Sequence, residues 1–175
     1  MTAAPDGLRV RIAALLDAHT TLTLATADAS GAPAAAAVFY ARDQRAGGDG
    51  ALCLYFLSEP DTRHGRRLLA NPAVAATIQA DGQDWRRIRG LQLEGRAAML
   101  DGAEALLAAA IYGRRFAFIA ARGAAELAGP LARARFWRIQ PAWIRLIDNT
   151  VRFGHHEELL LMPGAARGEG GQDVA

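Results

Sequence analysis

A chain of 175 residues, 51% hydrophobic and 22% charged, is long enough for one domain with a sizeable core and falls in the ordinary globular range. The formal charge of +2 is too small to favour DNA or RNA as a partner, and no apolar run approaches the ~20 residues needed to span a bilayer. All 20 basic residues are arginine, which excludes Schiff-base, Walker and kinase lysines and leaves a side chain that grips phosphate through two parallel hydrogen bonds.

Residues 6–19 set Leu8, Val10, Ile12, Leu15 and Leu16 in a mostly helical stripe behind Asp6, which predicts an N-terminal helix. The segment before it has no basic region leading into an apolar stretch, so a cytoplasmic chain is expected. Thr20 to Ala27 alternates with period two, the run from Asp28 to Pro33 reads as a turn, and Ala34 to Arg42 is apolar again, predicting a hairpin. Gln44 to Gly50 is a Gly-rich connection too irregular to cradle a phosphate. Ala51 to Leu57 is a third strand, and its Cys53, lone and set among apolar neighbours, reads as a core residue in a reducing compartment.

Ser58 to Pro72 organises the rest. Asp61 or Thr62 is a good N-cap and Asn71 before Pro72 a natural stop, which frames a short helix whose first turns carry Arg63, Arg66 and Arg67. Cations there oppose the helix dipole, and the free N–H groups already attract negative charge, so the arrangement is costly unless an anion arrives. The competing reading of the same spacing is a helix whose arginines are solvated.

Ala73 to Gln79 is a fourth strand ending at the turn Ala80–Gln83. Trp85 to Ala97 is a longer one with one wet face, and Gly90 marks a bulge or a close ligand. Residues 102–128 are Ala-rich and predict two helices with a kink or loop near Gly113. Phe136–Ile139 and Trp143–Ile147, divided by Gln140-Pro141, read as the last two strands, with Asp148-Asn149-Thr150 opening a turn toward Phe153-Gly154-His155-His156. Residues 1–163 are expected to form one domain and 164–175 a disordered tail. His155 and His156 invite a metal reading, but adjacent strand residues face opposite ways and no third ligand lies at useful spacing, so no metal site is expected. Nucleophile elbows, Cys-His pairs and dinucleotide fingerprints are absent.

A strand ending at Ser58, then Thr62-Arg63-His64, then a helix closed by Asn71-Pro72 resembles the phosphate-binding segment of the pyridoxamine 5'-phosphate oxidase-like FMN-binding split barrels. Ile88 to Gln92, Tyr112 to Phe116, and Ile147 to Thr150 with Phe153-Gly154 resemble the YhbP-like branch of that superfamily. The resemblance covers roughly residues 10–160. It implies a mainly β (α+β) fold: a six-stranded antiparallel split β-barrel of Greek-key type, with an N-terminal helix, a phosphate-site helix and a helical pair before the last strands. It also implies FMN as cofactor, with Ser58, Thr62, Arg63, His64 and Arg67 at the phosphate, Val38, Phe39 and Tyr40 along the ring, and Arg89 and Gly90 approaching from a facing strand. His64 stands where better-known members carry lysine, which makes that contact weaker or pH-dependent.

The Asp-Asn-Thr segment replaces the Trp and Arg that true pyridoxamine phosphate oxidases use, which argues against pyridoxal phosphate synthesis. The expected function is an FMN-dependent oxidoreductase acting with a small-molecule substrate or a donor such as NAD(P)H. The alternative is a non-catalytic barrel binding flavin, haem or another planar anion. A homodimer is expected, with neither nucleic acid nor membrane as partner. Arg87 and Arg89 have no evident partner in their own chain, and Trp85, Phe116 and Phe118 are candidates for the interface centre.

Overall fold

The computed structural model describes residues 5–43, 52–120 and 128–161. The Gly-rich connection at 44–50 and the tail at 164–175 lie outside them. Helix α1 (Pro5–Ala18) leads into strands β1 (Thr21–Ala27), β2 (Pro33–Arg42) and β3 (Leu54–Ser58), then helix α2 (Arg63–Ala70) and strand β4 (Ala73–Gln79). Strand β5 (Arg89–Met99), helices α3 (Gly102–Arg115), α4 (Ala117–Ala120) and α5 (Ala128–Arg133), and strands β6 (Arg135–Asp148) and β7 (His156–Leu160) complete the order. The sheet runs β3-β2-β1-β4-β5-β6-β7, every pair antiparallel, and β3 also pairs with β6. That last pairing closes six strands into a barrel and leaves β7 as an extra strand on β6.

Period-two alternation turns Leu22 and Leu24, Val38 and Tyr40, Leu54 and Phe56, Val74, Ala76 and Ile78, and Leu91 and Leu93 inward. The helical stripe of α1 supplies Leu8, Ile12, Leu15 and Leu16 to the same core, as its 3.6-residue spacing requires. A second apolar cluster joins Ala108, Ile111 and Tyr112 of α3 with Phe116, Leu100, Ala41 and Tyr55 on the outside of the barrel. Burial pushes the phenols of Tyr55 and Tyr112 up to about 12, so both are neutral at physiological pH. Cys53 is half-buried against this cluster, and burial likewise raises its thiol above the ordinary value.

Four boundaries differ from the sequence reading. Residues 85–87 form one 3-10 turn capped by Asp84, so β5 begins at Arg89 and not at Trp85. Helix α3 runs through Gly113 and stops at Phe116, whose ring turns into the aromatic cluster 4.6 Å from Tyr112. The two expected last strands are one, because the irregularity between Glu94 and Gly95 lets β6 carry an extra residue past Pro141. A Cβ on Gly95 would overlap Gln140 O and stand 2.8 Å from Pro141 Cα, so only glycine admits this approach. Strand β7 falls in the polar His-Glu run, where the sequence predicts the end of a turn.

Among the described residues no helix is long and apolar enough to cross a membrane. Helix α1 is tied to β7 through Arg11, which contacts both carboxylate oxygens of Glu157 at 2.7 Å, while His155 Nε2 lies 3.3 Å from Glu157 Oε1. The Arg11 hydrogen bond holds the Glu157 carboxyl below its ordinary range. The stability this adds is therefore present above the ordinary carboxylate pKa and is lost as pH falls through the lower folded value. Thermal melts from pH 7 to pH 3 should show that loss, and Glu157→Gln should flatten it.

Candidate functional site

Strand β3 delivers Ser58 to the barrel's rim, where it pairs with Arg135 of β6 and its carbonyl accepts from Trp137 Nε1 at 3.2 Å. The chain then turns through Glu59-Pro60-Asp61 into α2. Thr62 is the N-cap: its hydroxyl donates to Glu59 O at 2.8 Å and accepts from Gly65 N at 3.1 Å. Asn71 caps the other end through its amide to Arg67 O. Ser58 Oγ lies 2.6 Å from His64 Nε2 and 3.3 Å from Thr62 Oγ1, so three predicted site residues meet in one half-buried cluster. Burial lowers the pKa of His64.

The arginines of α2 divide sharply. Arg63 is exposed and makes no ion pair or hydrogen bond among the described residues. Arg66 folds back to donate to Asp61 O. Arg67, buried and 10% exposed at its side chain, points to the β1–β2 turn, where it donates to Ala32 O at 2.7 Å and pairs with Asp28 Oδ2 at 3.1 Å. Asp28 in turn accepts from Ser30 Oγ and from the amides of Ser30 and Ala32, and these bonds, the Ser30 hydroxyl first, hold its carboxyl below the ordinary range. Arg67 is thus committed to fastening α2 onto the hairpin, which corrects its assignment as a phosphate ligand.

No acidic residue occupies the first turn of α2. In the turn before the helix Asp61 is exposed, and Glu59 is held by Arg133 through two contacts at 3.0 and 3.1 Å. The Thr62 hydrogen is committed to Glu59 O, so the Ser58 hydroxyl, an imidazole and the exposed Arg63 guanidinium beside a helix N-terminus are the groups that can hold a small anion.

The strand expected along the flavin ring alternates, so its three residues cannot act together. Val38 and Tyr40 face the core, Tyr40 fully buried with its hydroxyl donating to Leu16 O at 2.7 Å, and burial raises its pKa. Phe39 faces outward, half-exposed, with its ring 5.4 Å from Phe116. From Val38 and Tyr40 a ligand on the outer face could meet only backbone.

Arg89 and Gly90 lie elsewhere. Ser58 pairs with Arg135 and Gly90 with Ile147, so the two groups sit at opposite ends of β6. Arg89 Nε pairs with Asp148 Oδ2 at 3.2 Å, an intrachain partner that the sequence reading did not foresee. Gly90 is neither the bulge nor an open approach: a Cβ there would stand 3.0 Å from Ile78 O and 3.1 Å from Gln79 Cβ, so the strand β4 fills the space.

Asp148-Asn149-Thr150 has a structural role that spacing did not reveal. Asp148 Oδ1 accepts from Thr150 N, Asn149 Oδ1 accepts from Gly154 N at 3.0 Å, and Asn149 Nδ2 donates to Trp85 O at 2.6 Å. With Asn149 N donating to Ile88 O, the segment clips the β6–β7 turn to the turn before β5. His155 is half-buried and His156 exposed, and among the described residues no three His, Cys, Asp or Glu side chains are grouped to hold a metal.

A shallow groove of about 330 Å³ crosses the outer face of β1, lined by His19, Thr21, Thr23, Ala37, Thr77 and Gln79. It does not include the Ser58–His64 cluster. Around it the outward residues of β2, β1 and β4 are small: Ala35 and Ala37, Thr23 and Ala25, Ala75 and Thr77, in register.

The sequence profile of the pyridoxamine 5'-phosphate oxidase family matches residues 8–148, from the first core position of α1 to the end of β6. The chain belongs to this family. Within it, the chain is 35% identical over 106 residues to the UPF0306 protein YhbP of Escherichia coli O157:H7, covering 59% of this chain and 63% of that protein. The UPF0306 protein of Serratia proteamaculans is 32% identical over 105 residues, with 60% and 66% covered. The match thus spans less than two thirds of these curated relatives. Among solved structures, HutZ, the heme storage protein of Vibrio cholerae, superposes with a TM-score of 0.60 at 25% identity, covering 77% of this chain and 89% of HutZ. A heme binding protein of Mycobacterium smegmatis gives 0.63 at 21% identity, covering 91% and 59%, and shares the fold.

Proposed function

We propose that this family member binds FMN through Ser58, Arg63 and His64, with Thr62 holding the helix N-terminus in place, and uses it as an oxidoreductase of a small molecule, with reducing equivalents from a donor such as NAD(P)H. The observation that carries the reading is the convergence of Ser58, Thr62 and His64 beside an uncommitted Arg63, with no acid in the first turn of α2. Bound flavin would supply the redox chemistry, and this chain's part is to orient it and exclude water. The competing reading, a barrel that stores or carries haem, is favoured by the two solved neighbours described as heme proteins.

Titration calorimetry separates the two. FMN should bind well and riboflavin poorly, because a terminal phosphate dianion is what the cluster recognises, and Arg63→Ala should cost about 1.5 to 3 kcal/mol of FMN affinity. Equal affinity for riboflavin and FMN would remove the phosphate from the reading, and a Soret band after haem addition without any flavin uptake would favour the alternative.

A homodimer with two shared sites belongs to the same proposal. Arg89 and the phosphate helix occupy opposite ends of β6 in one chain, so a second copy is needed to bring both to one ligand. The small-residue outer face of β2, β1 and β4 suits a closely packed partner, and a two-fold axis would complete both sites together. Light scattering at micromolar concentration should give twice the chain mass. A monomer with full flavin stoichiometry would refute the shared site.

A further inference from the structure

We propose that a phosphate monoester enters this site together with a proton, which His64 receives while the Ser58 hydroxyl turns from the imidazole to the ligand. The proposal rests on the FMN reading above and adds how that site is regulated.

Ser58 Oγ and His64 Nε2 are 2.6 Å apart, and only one hydrogen can lie between them. With the ring neutral, either Ser58 donates to Nε2 or Nε2–H donates to Ser58, so this pair cannot offer every donor to an anion at once. An imidazolium donates from both nitrogens and frees the serine hydrogen for a phosphate oxygen.

Among the described residues, the charges around His64 give its ring no counter-ion. On α2, Arg63 is uncommitted, Arg66 is bound to Asp61 O, and Arg67 is bound to the hairpin. In the preceding turn the Glu59 carboxylate is spent on Arg133 of α5, and Asp61 is exposed. From β6, Arg135 is folded onto Ala132 O and Ala134 O. Burial therefore acts alone on the imidazole and favours its neutral form. A phosphate dianion supplies the missing negative charge and favours the cation. In the free protein His64 titrates below its ordinary value and in the complex above that free value, so binding between the two takes up a proton. Affinity then rises as pH falls, by at most tenfold per unit. A diester phosphate carries one charge where the dianion carries two and draws less of this coupling, which makes the site a reader of terminal phosphates.

The test is calorimetry of FMN binding to the full chain at pH 7.5, in buffers of different ionisation enthalpy, where the phosphate (second pKa about 6) is already a dianion. Net proton uptake, a fraction of one, should be measurable in the wild type and vanish in His64→Gln, which keeps a polar partner for Ser58. FMN binding without proton exchange, or uptake that survives in His64→Gln, overturns the proposal. If FMN fails to bind, the FMN reading falls separately, and NMR titration of the His64 ring with inorganic phosphate decides this one. A midpoint raised by about a unit supports it, and an unmoved midpoint refutes it.

Discussion

Gly65→Ala is expected to abolish FMN binding and to destabilise the protein by about 3 kcal/mol, the upper end for overpacking a rigid site. A Cβ at this position would stand 2.5 Å from Pro60 O and 2.7 Å from Glu59 O. Both are backbone atoms, so no side chain can rotate away, and the turn between β3 and α2 must move. Glu59 O is also the acceptor for the Thr62 hydroxyl, and Gly65 N is the donor to that same hydroxyl. Moving either loosens the N-cap and the cluster that depends on it. Gly113→Ala is the control: nothing lies within 4 Å of its Cβ, and helix propensity favours alanine by up to about 1 kcal/mol. Urea denaturation of the two variants should move in opposite directions. A Gly65→Ala protein as stable as the wild type would mean that the turn is soft.

Arg67→Met should cost about 3 kcal/mol of stability, because a buried guanidinium that satisfies hairpin carbonyls and pairs with Asp28 is replaced by a group that does neither. Its effect on FMN affinity, measured at low temperature where the variant is folded, should be smaller than that of Arg63→Ala. The opposite order would return Arg67 to the phosphate. The two variants together test whether Arg67 builds the site while Arg63 reads the ligand, a distinction invisible in the run Arg63-His64-Gly65-Arg66-Arg67.

That distinction marks where sequence reading stops. The strands at 21–27, 33–42 and 73–79 were legible from period-two alternation in the first, apolar or small-residue runs in the others and Asp-x-x-Gly-x-Pro turn chemistry between the first two, and α2 was legible from its Thr62 and Asn71-Pro72 caps. The unbroken β6 was not, because Pro141 normally ends a strand and its tolerance depends on a glycine 46 residues earlier in β5. Asp28 as the partner of Arg67, and Asp148 as the partner of Arg89, follow from how α2 meets the hairpin and β5 meets β6. No local pattern encodes either pair. In the candidate site, the meeting of Ser58, Thr62 and His64 could be anticipated from the motif, whereas the inward turn of Val38 and Tyr40 required the phase of the strand relative to the core.

The pairing of β3 with β6 carries a consequence for how the molecule comes into being. Residues 54–58 find their partners at 135–139, roughly 80 positions later, and β6 must also align with β5 and β7. Closing so long a loop is entropically costly and comes before the contacts repay it, so barrel closure is a late and slow event in folding. The carbonyl of Ser58 gains its Trp137 donor only then. During synthesis, the segment from Ser58 to His64 leaves the ribosome long before the strand that holds it in place. A nascent chain that has not reached β6 therefore carries Ser58, Thr62 and His64 without the strand that anchors the Ser58 carbonyl.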